Sequence, residues 1–360
     1  MRYSVEQLIA LARVSSPVYG KLYRDLPPGA LAWDQVPVLT HDLLMAVVHD
    51  AQAISFFDPR GRSDGIIYQS SATTGKPKAT IFGREEWKAT LILLATRHWK
   101  SGALQEGDFV ANLCVGGSAS FMFVHGTLEQ FPSRCVEVPI GSDHPFPYIL
   151  DTYRKFGANV LAGINSVLLG MAHHILAEGM PDTTITRILC GGELMYGAQL
   201  GIVQRAFPNA MVIPFMFATT ETGLIGLSET GFAQNEFRVC ADACLLEIVD
   251  PATLQPIEEA GRMGLCVVTS LLRTAAPAIR MDIGDFAMWE EDSGVAERKF
   301  SIHGRRFTTR YPLGPRVLIT ETDVAALIVA LSVDIPLLKL RLDLDSDAAT
   351  VVVKLFRTHQ

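Results

Sequence analysis

No stretch of this 360-residue chain approaches the roughly eighteen consecutive apolar residues that a membrane-crossing helix needs, so no such span is expected. Blocks of like charge are missing too. The 31 Lys and Arg stand against 38 Asp and Glu, a net charge of −7 spread along the chain, which argues against nucleic acid or an anionic membrane as partner. The N-terminus lacks the apolar core of a secretory signal; MRYSVEQLIALARVSS is an amphipathic helical pattern interrupted by Glu6 and Gln7. Cysteines number six, with no C-x-x-C pair. Cys114, Cys135, Cys190, Cys240, Cys244 and Cys266 mostly sit in apolar, strand-like runs, the pattern of buried thiols in a reducing cytoplasm. Cys240 and Cys244 could form half a metal site, but the spaced His or Cys partners are absent. What the chain does have is apolar bulk: 49% hydrophobic against 19% charged residues, enough for two or three well-filled domains.

The order of the runs predicts an α/β protein. GIIYQS reads as a strand, REEWKATLILLATRHWKSG as an amphipathic helix ending near Gly102, then DFVANLC and RCVEVPI as strands. The alternation repeats: ANVLAGI strand, NSVLLGMAHHILAEG helix with Asn165 or Ser166 as N-cap and Gly179 past its end, ITRILC, a helix through AQLGIVQRAF, and NAMVIPFMF. Such spacing means βαβ units and parallel sheets, here two doubly wound layers. From FRVCADACLLEIV to CVVTSLL the strands are short and turn-linked, a small antiparallel β subdomain. A helix around TDVAALIVALS and a hairpin, LLKLRLDLD then TVVVKLF, form a short, incomplete α+β piece. The expected division is a large domain over 1–303 and a small one over 304–360.

The most informative loop is QSSATTGKPKA, Gln69 to Ala79. It is not the phosphate cradle G-x-x-x-x-G-K-[ST]: Ser70 stands where the first glycine belongs, and Pro77 after Lys76 removes a backbone donor. It nevertheless follows a strand, and in open α/β sheets ligands gather beyond the carboxyl ends of strands. Three more polar loops, CGGELM, FATTETG and RMDIGD, hold corresponding places. Each suits a nucleoside triphosphate. Hydroxyls and amides of Ser71, Thr73, Thr74 and Gly75 can wrap phosphate oxygens, with Lys78 as a point charge. Glu221 can hold Mg²⁺ directly or through water, Asp285 can accept from a ribose diol, and Gly191-Gly192 lets a flat base approach the backbone. Singly, each has a blander alternative: a turn, a solvated carboxylate, a helix cap.

In order and spacing the four loops resemble those of the adenylate-forming ligases, the superfamily of acyl- and aryl-CoA synthetases, peptide-synthetase adenylation domains and luciferases. SSATTGKPKA is similar to S-S-G-T-T-G-x-P-K, with Ala72 for glycine; FATTE to Y-G-x-[ST]-E, with Phe217 and Ala218 for tyrosine and glycine; RMDIGD to R-Y-R-T-G-D. The run from LLEIVDPATLQ to RMDIGD looks most like the phenylacetate-CoA ligase branch, and the resemblance covers roughly residues 30 to 356. It implies a two-step reaction with Mg-ATP: a carboxylate becomes an acyl-adenylate, then passes to a thiol, CoA or a carrier-protein phosphopantetheine. By the same resemblance Lys78 screens the phosphates, and Thr220 and Glu221 lie near the α-phosphate and metal. Gly192, Glu193 and Phe217 surround the adenine, Asp285 meets the ribose, and Arg305 marks the boundary with the small domain. GGSASFMFVHG and GINSVLL match the acid pocket, offering Phe121, Phe123, His125, Gly163 and Asn165, with Ala218, Thr219 and Gly223 opposite. His125 is either a partner for the carboxylate or a core histidine satisfied by a backbone carbonyl. An aromatic-lined cleft favours a small aryl or hydrophobic acid. A homodimer is implied by resemblance alone.

Two departures bear on the chemistry. The boundary pattern G-R-x-D-D reads GRRFTTRYPLG, with Phe307 and Thr308 replacing the acidic pair that serves as a hinge. The resembling ligases also carry a lysine in a longer C-terminal domain, and neither Lys339 nor Lys354 stands in a matching motif. The expectation is a truncated C-terminal domain, with slower chemistry, another cation, or a partner protein supplying the missing half. The alternatives are an amide synthetase with an amine acceptor, and a catalytically degenerate nucleotide binder acting with a partner. Retention of Lys78, Glu221, Asp285 and Arg305 favours an enzyme, because a decayed site has nothing to offset their desolvation.

Overall fold

Ser4 starts the first helix, α1 (Val5–Ser15). Its hydroxyl accepts from the Gln7 amide at 3.3 Å while the Gln7 side chain accepts from Ser4 N at 2.9 Å, a reciprocal cap. The computed structural model describes residues 3–27, 32–44, 64–69, 79–192, 195, 197–305, 310–313, 317–320, 339–345 and 350–356, with backbone only beyond 304. By packing, the chain divides into two compact units: Met1–Leu94, Met216–Ser228 and Glu236–Arg306 in one, Ala95–Phe215, Glu229–Asn235 and Phe307–Gln360 in the other.

The second unit holds a five-stranded parallel sheet in the order β4-β3-β5-β6-β7. Its strands are β3 (Phe109–Asn112), β4 (Val136–Pro139), β5 (Val160–Ile164), β6 (Arg187–Gly191) and β7 (Met211–Pro214). Helices α4 (Ala119–Glu129), α5 (Phe146–Lys155), α6 (Asn165–Ala177) and α7 (Gly197–Ala206) alternate with them, as the βαβ pattern requires. β5 and β6 are buried for four of five residues each, which is why they read as continuous apolar runs. α6 ends with Gly179 at φ +68°, as expected. Its start differs from expectation. Ile164, still extended, occupies the N-cap position without a side-chain bond, and Asn165 is already the first helical residue, because β5 runs straight into the helix.

The helix α3 (Arg84–Ser101) carries His98, 2% exposed and stacked 4.7 Å from the Phe215 ring. Burial drags its pKa from the ordinary 6.5 down to about 4. The native ring therefore stays neutral where the unfolded chain already binds a proton. Stability should fall as pH drops through 6.5, with the loss complete near 4. The full effect is on the order of 3 kcal/mol. In urea unfolding between pH 7 and 4, His98→Phe should visibly flatten that slope; an unchanged slope would show that the proton is taken elsewhere.

The first unit is built on a seven-stranded antiparallel sheet in the order β11-β12-β13-β14-β10-β9-β8. The strands are β8 (Phe217–Thr219), β9 (Gly223–Leu227), β10 (Glu236–Val239), β11 (Cys244–Val249), β12 (Met263–Ser270), β13 (Met281–Trp289) and β14 (Lys299–Arg305). Ile225, Phe237, Cys266, Trp289 and Phe300 form its core. Gly264 permits the tightest approach: a Cβ there would lie 2.5 Å from the Val249 carbonyl oxygen. Cys240 and Cys244 are buried here; the Cys244 thiol donates to the Ile225 carbonyl at 3.5 Å, and burial pushes it well up, the state of an inert core thiol. α1 and α2 (Pro17–Leu22) bury Leu8, Ala12 and Tyr19 with Leu39, Ile81 and Ile279.

The α/β class stands, with one difference in how the strands are shared. β1 (Ile66–Gln69), expected to open a doubly wound layer, pairs antiparallel with β2 (Ala79–Phe82) from Ile66↔Phe82 to Gln69↔Ala79. Among the described residues the parallel strands form one sheet. Two further hairpins, β15 (Arg310–Leu313) with β16 (Val317–Thr320) and β17 (Lys339–Asp345) with β18 (Thr350–Phe356), follow in sequence. Phe307, Thr308 and the TDVAALIVALS segment lie outside the described residues. No helix among those described is long and apolar enough to cross a membrane.

Candidate active site

Ser71, Thr73, Thr74, Gly75 and Lys78 lie outside the described residues, but the strands flanking their loop are held tightly. Thr80, Ile81 and Phe82 are all buried. Arg273, on the connection between β12 and β13, donates from Nη2 to Thr80 Oγ1 at 2.7 Å and to the Ile81 carbonyl at 2.6 Å. Its guanidinium lies 3.6 Å from the Phe82 ring centre. Glu86 ties the same two segments together, accepting from Gly83 N at 3.1 Å, Thr274 N at 2.6 Å and Ala275 N at 2.5 Å.

Thr220, Glu221 and Thr222 form the turn between β8 and β9. Thr219 Oγ1 accepts from the Thr222 amide at 3.1 Å and lies 2.9 Å from its hydroxyl, and Gly223 closes the turn at φ +76°. A Cβ on Gly223 would stand 3.5 Å from the edge of the Phe82 ring, so this turn touches the strand that follows the 70–78 segment. Glu221 is buried at 5% exposure. No group of three His, Cys, Asp or Glu among the described residues could hold a metal alone. A single buried carboxylate fits an ion that arrives on a triphosphate and keeps phosphate and water ligands, as Mg²⁺ does.

Asp285 is buried in β13, in register with Arg305 at the end of β14; the Arg305 side chain is outside the described set. Gly284 before it has φ +83°, where a Cβ would sit 2.9 Å from His41 Nδ1. The arginine of RMDIGD has a different task. Arg280 binds Glu247 in a two-pronged pair at 2.9 and 3.1 Å and donates to the Val36 carbonyl at 2.6 Å, which fixes the β13 start to the chain near Val36. Phe217 packs 5.4 Å from Phe237 and 5.8 Å from Phe300, half-buried on the sheet's aromatic core. Ala218 lies opposite Leu224, beside a register shift.

In the second unit the carboxyl edge of the parallel sheet carries the remaining candidates. β6 ends at Gly191, whose added Cβ would meet nothing within 4 Å, while a Cβ on Gly192, at φ +80°, would lie 3.2 Å from Ile164 Cγ2. That combination leaves room for a flat ring against the backbone. Glu193 lies outside the described residues. Ser118 caps α4, Phe121 is half-buried and Phe123 buried. Gly163 packs against Leu113 and Leu168, and Asn165 is buried at the start of α6.

His125 is not a core histidine satisfied by a backbone carbonyl. Its side chain is 46% exposed, and Nδ1 lies 2.7 Å from Glu137 Oε2 on β4. Asn112, at the end of β3, donates to the other Glu137 oxygen at 2.9 Å and to the Phe121 carbonyl at 3.2 Å. Sequence reasoning passed over Glu137 and Asn112. The signal available was a polar residue closing one strand and a carboxylate between two valines in RCVEVPI.

The fold is that of solved CoA ligases. 2-Hydroxyisobutyryl-CoA ligase in its postadenylation state, in complex with 2-HIB-AMP, matches at TM-score 0.78 and 18% identity, over 97% of this chain and 76% of that one. The same ligase with 2-HIB-AMP and CoA in the thioesterification state gives 0.71 and 21%, over 97% and 75%. A long-chain-fatty-acid-CoA ligase from Archaeoglobus fulgidus gives 0.53 and 10%, over 78% and 56%. The sequence matches no family model and no curated protein.

Proposed function

We propose that the protein is an AMP-forming ligase that activates a small aromatic or hydrophobic carboxylic acid with Mg-ATP and transfers it to a thiol. One observation carries the reading: the buried Glu221 turn packs against the strand that follows the hydroxyl-, glycine- and lysine-rich 70–78 segment, within the fold of acyl-CoA ligases. In the first step a carboxylate oxygen bonds to the α-phosphorus, the bond to the bridging oxygen breaks, and pyrophosphate leaves. In the second a thiolate attacks the acyl carbon and AMP departs. Bringing two anions together is the physical demand, and positioned cations and amides meet it. Lys78 and the amides of the 70–78 segment are assigned to the phosphates, Thr220 and Glu221 to the α-phosphate and Mg²⁺, and Asp285 to the ribose. Gly191, Gly192, Glu193, Phe217 and Ala218 are assigned to the base. Phe121, Phe123, His125, Gly163, Asn165, Thr219 and Gly223 are assigned to the acid.

The acceptor is CoA or a carrier-protein phosphopantetheine, and residues 304–360 with Arg305 serve the second step. Support for CoA comes from the neighbour that holds it beside an acyl-adenylate. Isotope exchange between pyrophosphate and ATP, run across a panel of aryl, short-chain and 2-hydroxy acids, should respond to at least one acid. A folded protein that exchanges with none would end the proposal.

A further inference from the structure

We infer that Arg273 is a positioning residue of the nucleotide site: one buried guanidinium sets both the strand that leaves the phosphate loop and the turn that carries Glu221. The role assigned to that site rests on the ligase reading above; the placement of Arg273 does not. Arg273 is 1% exposed, the largest fully buried side chain among the described residues. Its Nη2 grips Thr80 and Ile81, the second and third residues after Lys78, so it fixes where the chain emerges from the loop. Its planar face covers Phe82, whose ring edge abuts Gly223, two residues beyond Glu221.

The chemistry of the group separates this role from mere packing. Burial lowers the guanidinium pKa to about 10 even against the upward pull of two carboxylates, Glu86, 3.8 Å from Nε, and Glu221. Nε and Nη1 have no hydrogen-bond partner among the described residues. A side chain kept only to fill space would be apolar, since a buried charge with unmade hydrogen bonds destabilises the fold that holds it. What the charge does supply is a fixed cation that attracts Glu221. It offsets that carboxylate's desolvation before Mg-ATP arrives, and it does so from the same atom group that anchors the loop exit.

The test compares wild type with Arg273→Met, Arg273→Lys and Thr80→Val. In ATP–pyrophosphate exchange, Arg273→Met should raise KM for Mg-ATP at least about tenfold while KM for the acid stays within about twofold. Arg273→Lys should recover part of the loss, because it restores the charge but not the fork. Thr80→Val, which removes one hydroxyl, should raise KM for Mg-ATP severalfold with KM for the acid within about twofold, while the lost buried bond lowers the urea midpoint without unfolding the protein. An unchanged KM for Mg-ATP in folded Arg273→Met, or equal rises for both substrates, overturns the inference. If Arg273→Met does not fold, Thr80→Val decides by the same criterion. If wild type exchanges with no acid, the ligase reading fails alone, and the upward thermal shift given by Mg-ATP reads Arg273 directly. A shift in wild type that Arg273→Met loses supports the inference; equal shifts, or none, overturn it.

Discussion

Glu221→Gln should lower ATP–pyrophosphate exchange by about a hundredfold or more, roughly 3 kcal/mol of transition-state stabilisation, without unfolding the protein. The amide keeps the shape of the side chain and removes only its charge. Glu221 is buried within a turn already closed by Thr219, Thr222 and Gly223, so the backbone has no reason to move. Removing a buried carboxylate also removes its desolvation, which limits any loss of stability. If the lost term is metal binding, the activity should become steeply dependent on Mg²⁺ concentration and recover in part at high Mg²⁺. Measuring exchange against Mg²⁺ for both proteins separates that case from a lost phosphate contact, which extra Mg²⁺ would not repair. A variant within about threefold of wild type at every Mg²⁺ concentration would remove Glu221 from the machinery.

The residues that sequence reasoning placed well are those whose signal is local. ANVLAGI and ITRILC became β5 and β6 because strands buried on both faces must be continuously apolar. LLKLRLDLD and TVVVKLF became the paired β17 and β18 because alternation with a turn between them leaves few other folds. β2 was passed over. Its four residues are too few to show a period, and three of them are buried in succession, so nothing alternates.

The site divides along the same line. Polar loops after strands are visible in sequence; partners brought together by the fold are not. Arg273 meets Thr80 across 193 residues, and no spacing rule joins them. Within RMDIGD, Arg280 is taken up by Glu247 and the Val36 carbonyl, while Asp285 is buried opposite Arg305; the motif alone gives no means of telling the clamp from the ligand. His125 is the intermediate case. The sequence singled it out, but its hydrogen-bonding partner Glu137 lies on a different element, and that pairing decides what the imidazole can offer a substrate.

The largest loss of stability is expected at the opposite edge of the parallel sheet, from Asp108→Ala. Asp108 precedes β3 and takes two charged bonds from Arg187, the first residue of β6, at 2.8 and 2.6 Å. It also accepts from Asn159 Nδ2 at 3.0 Å and from the Gln105 amide at 2.7 Å, while Asn159 Oδ1 accepts from the Phe109 amide at 2.8 Å. The amino ends of β3, β5 and β6 are therefore tied by one buried carboxylate. Truncating it strands a buried guanidinium, at a cost of about 3–5 kcal/mol. Urea unfolding should show that loss. Arg187→Met in the same chain should give much of it back, because the stranded charge rather than the missing bonds accounts for most of the loss. Exchange activity per folded molecule should stay near wild type in both, since the candidate ligand groups of this unit lie at the carboxyl ends of the same strands. A single variant that unfolds no more easily than wild type would mean water satisfies Arg187. Activity lost while the fold is retained would mean that the amino edge of this sheet does more than hold three strands in register.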